Sequence, residues 1–220
     1  EGCYVPVQHN APSSGVRRRG RPAKGTPAAR EAILGAALHG FSRKGYEGTS
    51  LREIAEAAGV DPALISHQFG SKFALWKALV DEMAQRLAAA RHSIEALHGA
   101  SGSTRERVRE GLTHFITANC DIPELSKFLS DELSQPGERQ DYILHTIWEP
   151  YQDAMLPLLR EAEADGLLRH NGSPELTLMM VMGAIMLPLL MMRRQALSNH
   201  AEAELSRRLV SDVLPMVLAV

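Results

Sequence analysis

The chain has 220 residues, of which 45% are hydrophobic and 23% are charged, and its formal net charge is −2. These values are ordinary for a globular protein and exclude collagen-like, purely coiled-coil and wholly disordered chains. A chain of this length also buries enough surface to fold without a disulfide or a metal ion.

The charge is unevenly distributed along the chain. Residues 17–80 hold 11 Lys and Arg against 5 Asp and Glu, whereas residues 81–220 hold 13 against 20. A basic N-terminal part followed by an acidic remainder indicates that only the N-terminal part binds a polyanion, although an uneven surface charge without any function would give the same counts.

The two cysteines, Cys3 and Cys120, are too few and too differently placed to predict a structural disulfide. So few cysteines are typical of proteins of the reducing cytosol, and residues 1–10 lack the pattern of a secretory signal. We therefore expect a cytoplasmic protein.

Residues 1–27 are predicted to be a disordered basic arm, because residues 11–27 offer little apolar surface for a core. The arm contains Arg19-Gly20-Arg21-Pro22, which is the core of an AT-hook. In such a motif, arginines beside a slim glycine enter a narrow A·T minor groove. A non-specific electrostatic arm is the equally open alternative.

The remainder is predicted to be all-α, since aromatic residues make up only 5% and Ala and Leu are abundant. Ile33, Ala37 and Phe41 share one helical face in the first helix, which is expected to stop at Gly45. Helix starts follow from capping patterns. The capping residues are Ser50 with Glu53, Asp61 with Pro62, and Ser71.

Apolar periodicity continues through the rest of the chain. Pro150 and Pro157 predict kinks or a split in one of the later helices. The later helices are predicted at 104–119, 123–134, 138–165, 174–197 and 202–219. Together with the first four helices, they give about nine helices and no strand.

Residues 50–69 have the pattern of a helix-turn-helix, whose second helix enters the DNA major groove. Ala63, Ser66 and His67 share an outward face at i, i+3 and i+4, and their small size suits a groove. A plain helical hairpin in a bundle remains the alternative. The predicted inward face consists of Leu51, Ile54, Ala55, Val60, Ile65 and Phe69.

The run TSLREIAEAAGVDPALISHQFGSKFALWKALV, residues 49–80, resembles the DNA-binding region of the TetR family of bacterial transcriptional repressors. The detailed similarity covers roughly residues 28–80 and extends beyond them only in length and helix count. It implies a helix-turn-helix DNA-binding domain at 28–75 and a helical effector-binding and dimerisation domain at 76–220.

The resemblance also implies roles for individual residues. Thr49 and Ser50, at a helix N-terminus, would hold a phosphate, and Lys72 would contact another. The residues expected to face the groove are Pro62, Ala63, Ser66, His67 and Gln68, of which His67 and Gln68 are the expected base readers. Leu64 fits either the core or a thymine methyl group.

Two positions depart from the family pattern. Many members have an aromatic residue at the position of Ser66 and a histidine at that of Gln68. Because Ser66 cannot stack on a sugar–phosphate, base readout here is expected to differ in detail.

No enzyme signature appears in the sequence. Gly20 and Gly25 have the spacing of a P-loop, but Thr26 stands where lysine is required, which rules out that nucleotide site. The nine histidines form no H-x-x-x-H pair, so neither a metal nor another cofactor is expected.

Residues Leu176–Met192 form an apolar stretch at the lower limit of a membrane span, but Gly183 and Pro188 interrupt it. We expect instead a helix buried on all sides, one side against the monomer core and the other against a partner. The last helix, with Leu205, Leu209, Val213 and Val217 at i+4 spacing, has an apolar face too wide for a lone terminal helix. Together these patterns predict a homodimer through the last two helices and no membrane insertion.

A small-molecule site in the body is implied by the resemblance alone. An unknown apolar or amphipathic ligand is expected, since methionine adapts to varied apolar shapes, although simple core packing would use the same residues. The candidate lining residues are Phe115, Phe128, Trp148, Tyr151, Met155, Met182 and Met186, with His114, Asn119 and His145 as polar candidates.

The sequence is therefore interpreted as a non-enzymatic, ligand-responsive dimeric repressor that binds a pseudo-palindromic DNA operator. The alternative is an A·T-preferring architectural DNA-binding protein with no ligand response, in which the arm dominates binding.

Overall fold

A computed structural model describes residues 27–122, 124–169, 173–192 and 199–219. The arm, with Arg19 and Arg21, and residues 193–198 of a predicted helix lie outside the described residues. The helices are α1 (Pro27–Lys44), α2 (Leu51–Ala58), α3 (Pro62–Phe69), α4 (Lys72–Glu95), α5 (Thr104–Cys120), α6 (Leu125–Leu133), α7 (Glu138–Ile143), a π-helical turn (Leu144–Trp148), α8 (Glu149–Ala164), α9 (Pro174–Met192) and α10 (Asn199–Val217).

The predicted all-α class is confirmed. Within the described ranges, the one β-type pairing is an isolated bridge between Leu168 and Leu218. If α7, the π turn and α8 are counted as one bent helix, the described ranges contain nine helices, as the sequence predicted.

Helices α1 to α3 form a small head with its own apolar centre. Ile33, Ala37 and Phe41 on α1 are buried, as are Ile54 on α2 and Ile65 on α3. The predicted caps are present: Ser50 and Glu53 form both bonds of a capping box, and the side chain of Asp61 accepts a hydrogen bond from the Ala63 N–H. The head therefore follows closely from local signals in its sequence.

Helix α4 belongs to the head and to the body at once. It packs against α1 and α3 of the head and against α5 and α8 of the body. Trp76, near the start of the helix, is fully buried among Phe73, Phe128 and Tyr142. The expected boundary between domains at 75/76 therefore falls inside a continuous helix.

The body bends where the sequence placed prolines. Pro150 has no N–H and cannot donate to the carbonyl four residues back, so a regular α-helix cannot pass through it unchanged. The chain widens into the π turn just before it, where the Glu149 N–H donates to the Leu144 carbonyl five residues back. The predicted kink is thus a π turn, whereas Pro157 lies inside α8.

The two C-terminal helices differ in what they leave exposed. On α10, Leu205, Leu209, Val213 and Val217 are buried, and the helix packs mainly on α5 of the same chain. The wide apolar face of the last helix is thus largely used within the monomer, which corrects its use as evidence for a partner. On α9 one side is buried, but its other side exposes Leu176, Met179, Met180, Leu187 and Met191.

Gly40 on α1 is predicted to accept no side chain without a loss of stability, because the head packs tightly there. A Cβ atom at Gly40 would lie 2.8 Å from the Cγ2 atom of buried Thr49, whereas a Cβ at Gly35 on the same helix meets nothing within 4 Å. We expect Gly40→Ala to lower the free energy of unfolding by about 1–2 kcal/mol, since overpacking outweighs the gain in helix propensity. Gly35→Ala, the matched control, should be neutral or stabilising by up to about 1 kcal/mol. Equal stability of the two variants in urea unfolding would contradict the tight contact.

Candidate nucleic-acid interface

Helix α3 presents the face that the sequence predicted. Leu64 and Ile65 are buried, whereas Pro62, Ala63, Ser66 and His67 are exposed. The alternation follows from helical geometry, because residues three and four apart share a side. Leu64 is 8% exposed and therefore belongs to the core rather than to the outer face.

Gln68 differs from the other groove candidates. Its side chain is half-buried, and its Oε1 atom is buried with no hydrogen-bond partner in the described part of the chain. A buried oxygen without a hydrogen bond destabilises the folded state by about 1–3 kcal/mol. Because Oε1 has no partner here, turning the amide outward breaks no hydrogen bond at this atom. The Oε1 atom of Gln68 can thus accept a hydrogen bond from a base only after the side chain changes rotamer.

Thr49 has a structural role that sequence reasoning missed. Its side chain is buried, 2% exposed, and its hydroxyl donates a hydrogen bond of 2.8 Å to the Gly45 carbonyl. The predicted phosphate contact stays a prediction, and this hydroxyl could make it only by turning away from the Gly45 carbonyl, because the group faces the turn between α1 and α2 and not solvent.

Ser50 is exposed, but its hydroxyl proton is already donated within the protein. The hydroxyl donates to the Glu53 carboxylate at 2.9 Å and accepts from the Glu53 N–H at 3.2 Å. The same carboxylate accepts from the Ser50 N–H and pairs with Lys44 at 2.7 Å. A carboxylate thus sits where the positive end of α2 would attract a phosphate, so a phosphate contact by Ser50 requires Glu53 to move.

The electrostatics of this cap are visible in Glu53. The hydrogen bond from Lys44, followed by those from the Ser50 backbone and hydroxyl, lowers the pKa of Glu53 from 4.5 to about 2. The negative charge is therefore held firmly at neutral pH, and it lies beside the exposed turn that leads into α2.

Lys72 begins α4 and is half-buried. Its Nζ atom lies 4.3 Å from the centre of the Tyr46 ring and 3.5 Å from the Glu47 carbonyl oxygen. Both partners belong to the turn between α1 and α2. Sequence reasoning missed Tyr46 as a functional candidate, although it lies directly before Glu47 in the stretch that matched the family pattern.

Several of the predicted ligand residues pack against one another or against other core side chains. Phe115 and Tyr151 meet edge to face at 5.2 Å, and Phe128 packs on Trp76. Met155 is fully buried beside Gly111. These contacts fit the alternative of simple core packing, and the ligand site stays a prediction. Trp148, Met182 and Met186 are partly buried at the edge of the core.

The polar ligand candidates are also engaged or peripheral. Asn119 is buried and donates to the Phe115 carbonyl at 2.8 Å. His145 is exposed and lies 2.8 Å from the Glu149 carboxylate, and His114 lies 3.8 Å from Glu110. A very small recess of about 20 Å³ opens between α4, the π turn and α8, where Ala84, Ala88 and Tyr151 line it. Of the seven predicted residues, Tyr151 alone lines this recess.

The described ranges contain no cluster of metal-ligating side chains and one long apolar helix. No group of three or more His, Cys, Asp or Glu side chains in those ranges could hold a metal ion. One described helix, α9, is long and apolar enough over Pro174–Met191 to cross a membrane, with 28% of that window buried. Core helices of soluble proteins meet the same criteria.

Residues 33–79 match the family described as bacterial regulatory proteins, tetR family. The transcriptional regulator RutR of Escherichia coli strain K12 is 40% identical over 68 residues, which are 31% of this chain and 32% of that protein. The regulatory protein RaaS of Mycobacterium tuberculosis is 51% identical over 55 residues, 25% of this chain and 26% of that protein. The chain thus matches at most about a third of the length of these two relatives.

Similarity of fold extends much further than similarity of sequence. The regulator FadR of Bacillus subtilis, in a structure with stearoyl-CoA, aligns with a TM-score of 0.62 over 84% of this chain and 98% of its own, at 19% identity. At that identity the likeness concerns the fold alone, and it includes the body that the sequence matches leave out.

The Glu53 cap predicts a pH dependence of stability. Because the folded-state pKa is lowered, the carboxylate contributes its full stabilisation above pH 4.5 and loses it as the pH falls toward about 2. We expect thermal unfolding to show a smaller loss of stability over this range in Glu53→Gln than in the unaltered protein. Glu56→Gln on the same helix, whose side chain is not part of the cap, is the control. Parallel pH profiles for the unaltered protein and Glu53→Gln would refute the assignment.

Proposed function

Since residues 33–79 match the family of bacterial regulatory proteins described as tetR, we propose that this chain is a member of that family and a sequence-specific DNA-binding transcriptional regulator. The observation that carries the proposal is the exposed face of α3, formed by Ala63, Ser66 and His67 on a helix whose other side is locked into the head core. A rigid helix with small outward side chains suits the major groove, which is about 12 Å wide. His67 and Gln68 are the proposed base readers, with Pro62 beside the groove.

Phosphate contacts are proposed for Lys72 and for the arm. Lys72, at the first residue of α4, is held beside the ring of Tyr46, 4.3 Å from its centre. Arg19 and Arg21, outside the described residues, are proposed to enter the adjacent minor groove. Such contacts position a protein on DNA, while the groove contacts discriminate among sequences.

A homodimer through the last two helices is the proposed active form. The side chains of Leu176, Met179, Leu187 and Met191 lie along one exposed side of α9, and Met216 on α10 is half exposed. An apolar stripe of this kind is typical of an interface between subunits. A second copy is the fitting occupant, because two recognition helices related by a two-fold axis would read the half-sites of a pseudo-palindrome.

Regulation by a small molecule is proposed for the body, residues 76–220, while the head comprises residues 28–75. The structure of Bacillus subtilis FadR with stearoyl-CoA supports a ligand with a long apolar part. The recess beside Tyr151, which alanines of α4 and residues of the π turn line, would have to open to admit such a ligand, because its volume is about 20 Å³. Ligand binding would change the spacing of the heads and release a repressor from its operator in the bacterial cytoplasm.

The direct test is selection of binding sites from a random duplex library with purified protein. We expect a palindromic consensus whose half-sites are about one helical turn or more apart. An A·T-rich pool without symmetry would instead support an architectural protein bound through its arm, and no enrichment at all would refute DNA binding. His67→Ala should relax the consensus at one or two positions while leaving its symmetry intact.

The proposed interface predicts that charge on α9 dissociates the dimer. Leu187, with a residue exposure of 61%, is the strongest position, and Met179 is the second. Leu187→Glu should raise the dimer dissociation constant by roughly a hundredfold or more, because an unpaired carboxylate would be buried. Ala164→Glu, at the exposed end of α8, is the matched control.

Sedimentation velocity at micromolar concentration measures this result. A monomeric species for the unaltered protein, or a dimer that survives both Leu187→Glu and Met179→Glu, would exclude the α9 interface. If the unaltered protein instead co-sediments with lipid vesicles, the exposed apolar side of α9 binds a membrane and not a second copy.

A further inference from the structure

Arg139, at the start of α7 in the body, contacts the head. Its guanidinium carbon lies 4.2 Å from the centre of the Tyr46 ring, and its Nη1 atom lies 3.6 Å from a carboxylate oxygen of Glu47. Tyr46 and Glu47 form the turn between α1 and α2. A guanidinium within about 6 Å of an aromatic ring is attracted to its face, so this contact joins the two parts of the protein.

The other side of Arg139 is anchored by a buried carboxylate. Its Nε atom donates to Glu132 at 2.7 Å, and the second oxygen of Glu132 accepts from the Trp76 Nε1 atom at 3.3 Å. The side chain of Glu132 is only 5% exposed. Because a buried carboxylate is strongly unfavourable without its partner cation, Arg139 cannot leave Glu132 cheaply.

Tyr46 and Glu47 also hold Lys72. Its ammonium group lies 4.3 Å from the same ring and 3.5 Å from the Glu47 carbonyl oxygen. One aromatic ring is therefore shared by a cation of the body and a cation at the N-terminus of α4. A displacement of Arg139 would therefore alter the surroundings of the Tyr46 ring that Lys72 contacts.

We propose that Arg139 is a positioning residue for DNA binding, which acts through Tyr46 and Glu47 to place Lys72 for its phosphate contact. The inference rests on the proposed function, since it concerns the same protein–DNA interface. It adds a specific route by which the position of α6 and α7 affects DNA affinity. A shift of α7 carries the guanidinium away from Tyr46 and releases the turn that orients Lys72.

The alternative is a purely structural brace, in which Arg139 stabilises the head without reference to Lys72. The two differ in a double-mutant cycle, because residues that act together give non-additive losses. They also differ in salt dependence, since the slope of log K against log[salt] counts phosphate contacts and not stability.

The experiment measures operator affinity at several salt concentrations for Lys72→Ala, Arg139→Gln and the double variant. Lys72→Ala should lower affinity and reduce the salt slope by about one unit. Arg139→Gln should lower affinity about fivefold and cause the same reduction in slope, although Arg139 itself is not proposed to contact DNA. In the Lys72→Ala background, Arg139→Gln should have almost no further effect.

A conservative variant and a matched control sharpen the result. Arg139→Lys should recover part of the lost affinity, because an ammonium keeps the charge but lacks the planar fork that reaches Glu132 and Tyr46 together. Arg91→Gln is the control: its side chain is 29% exposed, compared with 26% for Arg139, and it pairs with Glu95 at 2.7 Å far along α4. This control should leave affinity and slope unchanged.

Fluorescence gives an independent measurement. The chain has two tryptophans, so Trp148→Phe leaves Trp76, bound to Glu132, as the reporter. We expect operator DNA to change its emission in Trp148→Phe and not when Arg139→Gln is added. Thermal unfolding of each variant checks that it is folded.

The outcomes separate this inference from the proposed function. Additive losses from Lys72→Ala and Arg139→Gln, or an unchanged salt slope in Arg139→Gln, would overturn the positioning role while DNA binding stands. Failure of the unaltered protein to bind any duplex would overturn the proposed function and this inference together.

Discussion

The carboxylate of Glu132 is the constraint around which the head and the body are joined. A charge so deeply buried must be met by partners on several sides, and here they come from α4 and α7 while Glu132 itself lies on α6. Trp76 supplies an N–H donor and a large apolar surface at the same point. The three helices can therefore approach only in the arrangement that satisfies this group, and the position of the head on α4 follows.

The head itself depends on short-range signals, which explains why it was predictable. The caps at Ser50 and Asp61, and the buried positions of Ile54 and Ile65, were all predicted from residues within one or two helical turns. The exposed face of α3 follows from the same periodicity. The burial of Thr49 was not predicted, because it depends on Gly40 of α1, a contact between helices that no local pattern reveals.

The body was predicted in its helices but not in its interior. The spacing of Phe115, Tyr151 and Met155 indicates buried faces equally well for a packed core and for a pocket wall, because both require apolar side chains toward the centre. Only the crossing of the helices decides between them, and here Gly111 lets α5 approach α8 closely enough for Met155 and Leu158 to fill the space. Arg139 and Tyr46 were missed for a related reason, since their contact joins distant parts of the chain.

The π turn lies next to the joint between the head and the body. A π turn is held by a wider hydrogen-bonded ring than an α-helix, and Pro150 prevents the regular pattern from extending through it. The turn lies between α7, which carries Arg139, and α8, which packs into the body core. It also borders the recess beside Tyr151. An apolar group that entered this recess would press on Ile147 and Thr146, and the adjacent α7 is the element with fewer core contacts, because Ile143 is its one buried residue. Displacement would thus be taken up by α7 rather than α8, and it would reach Tyr46 through the guanidinium of Arg139.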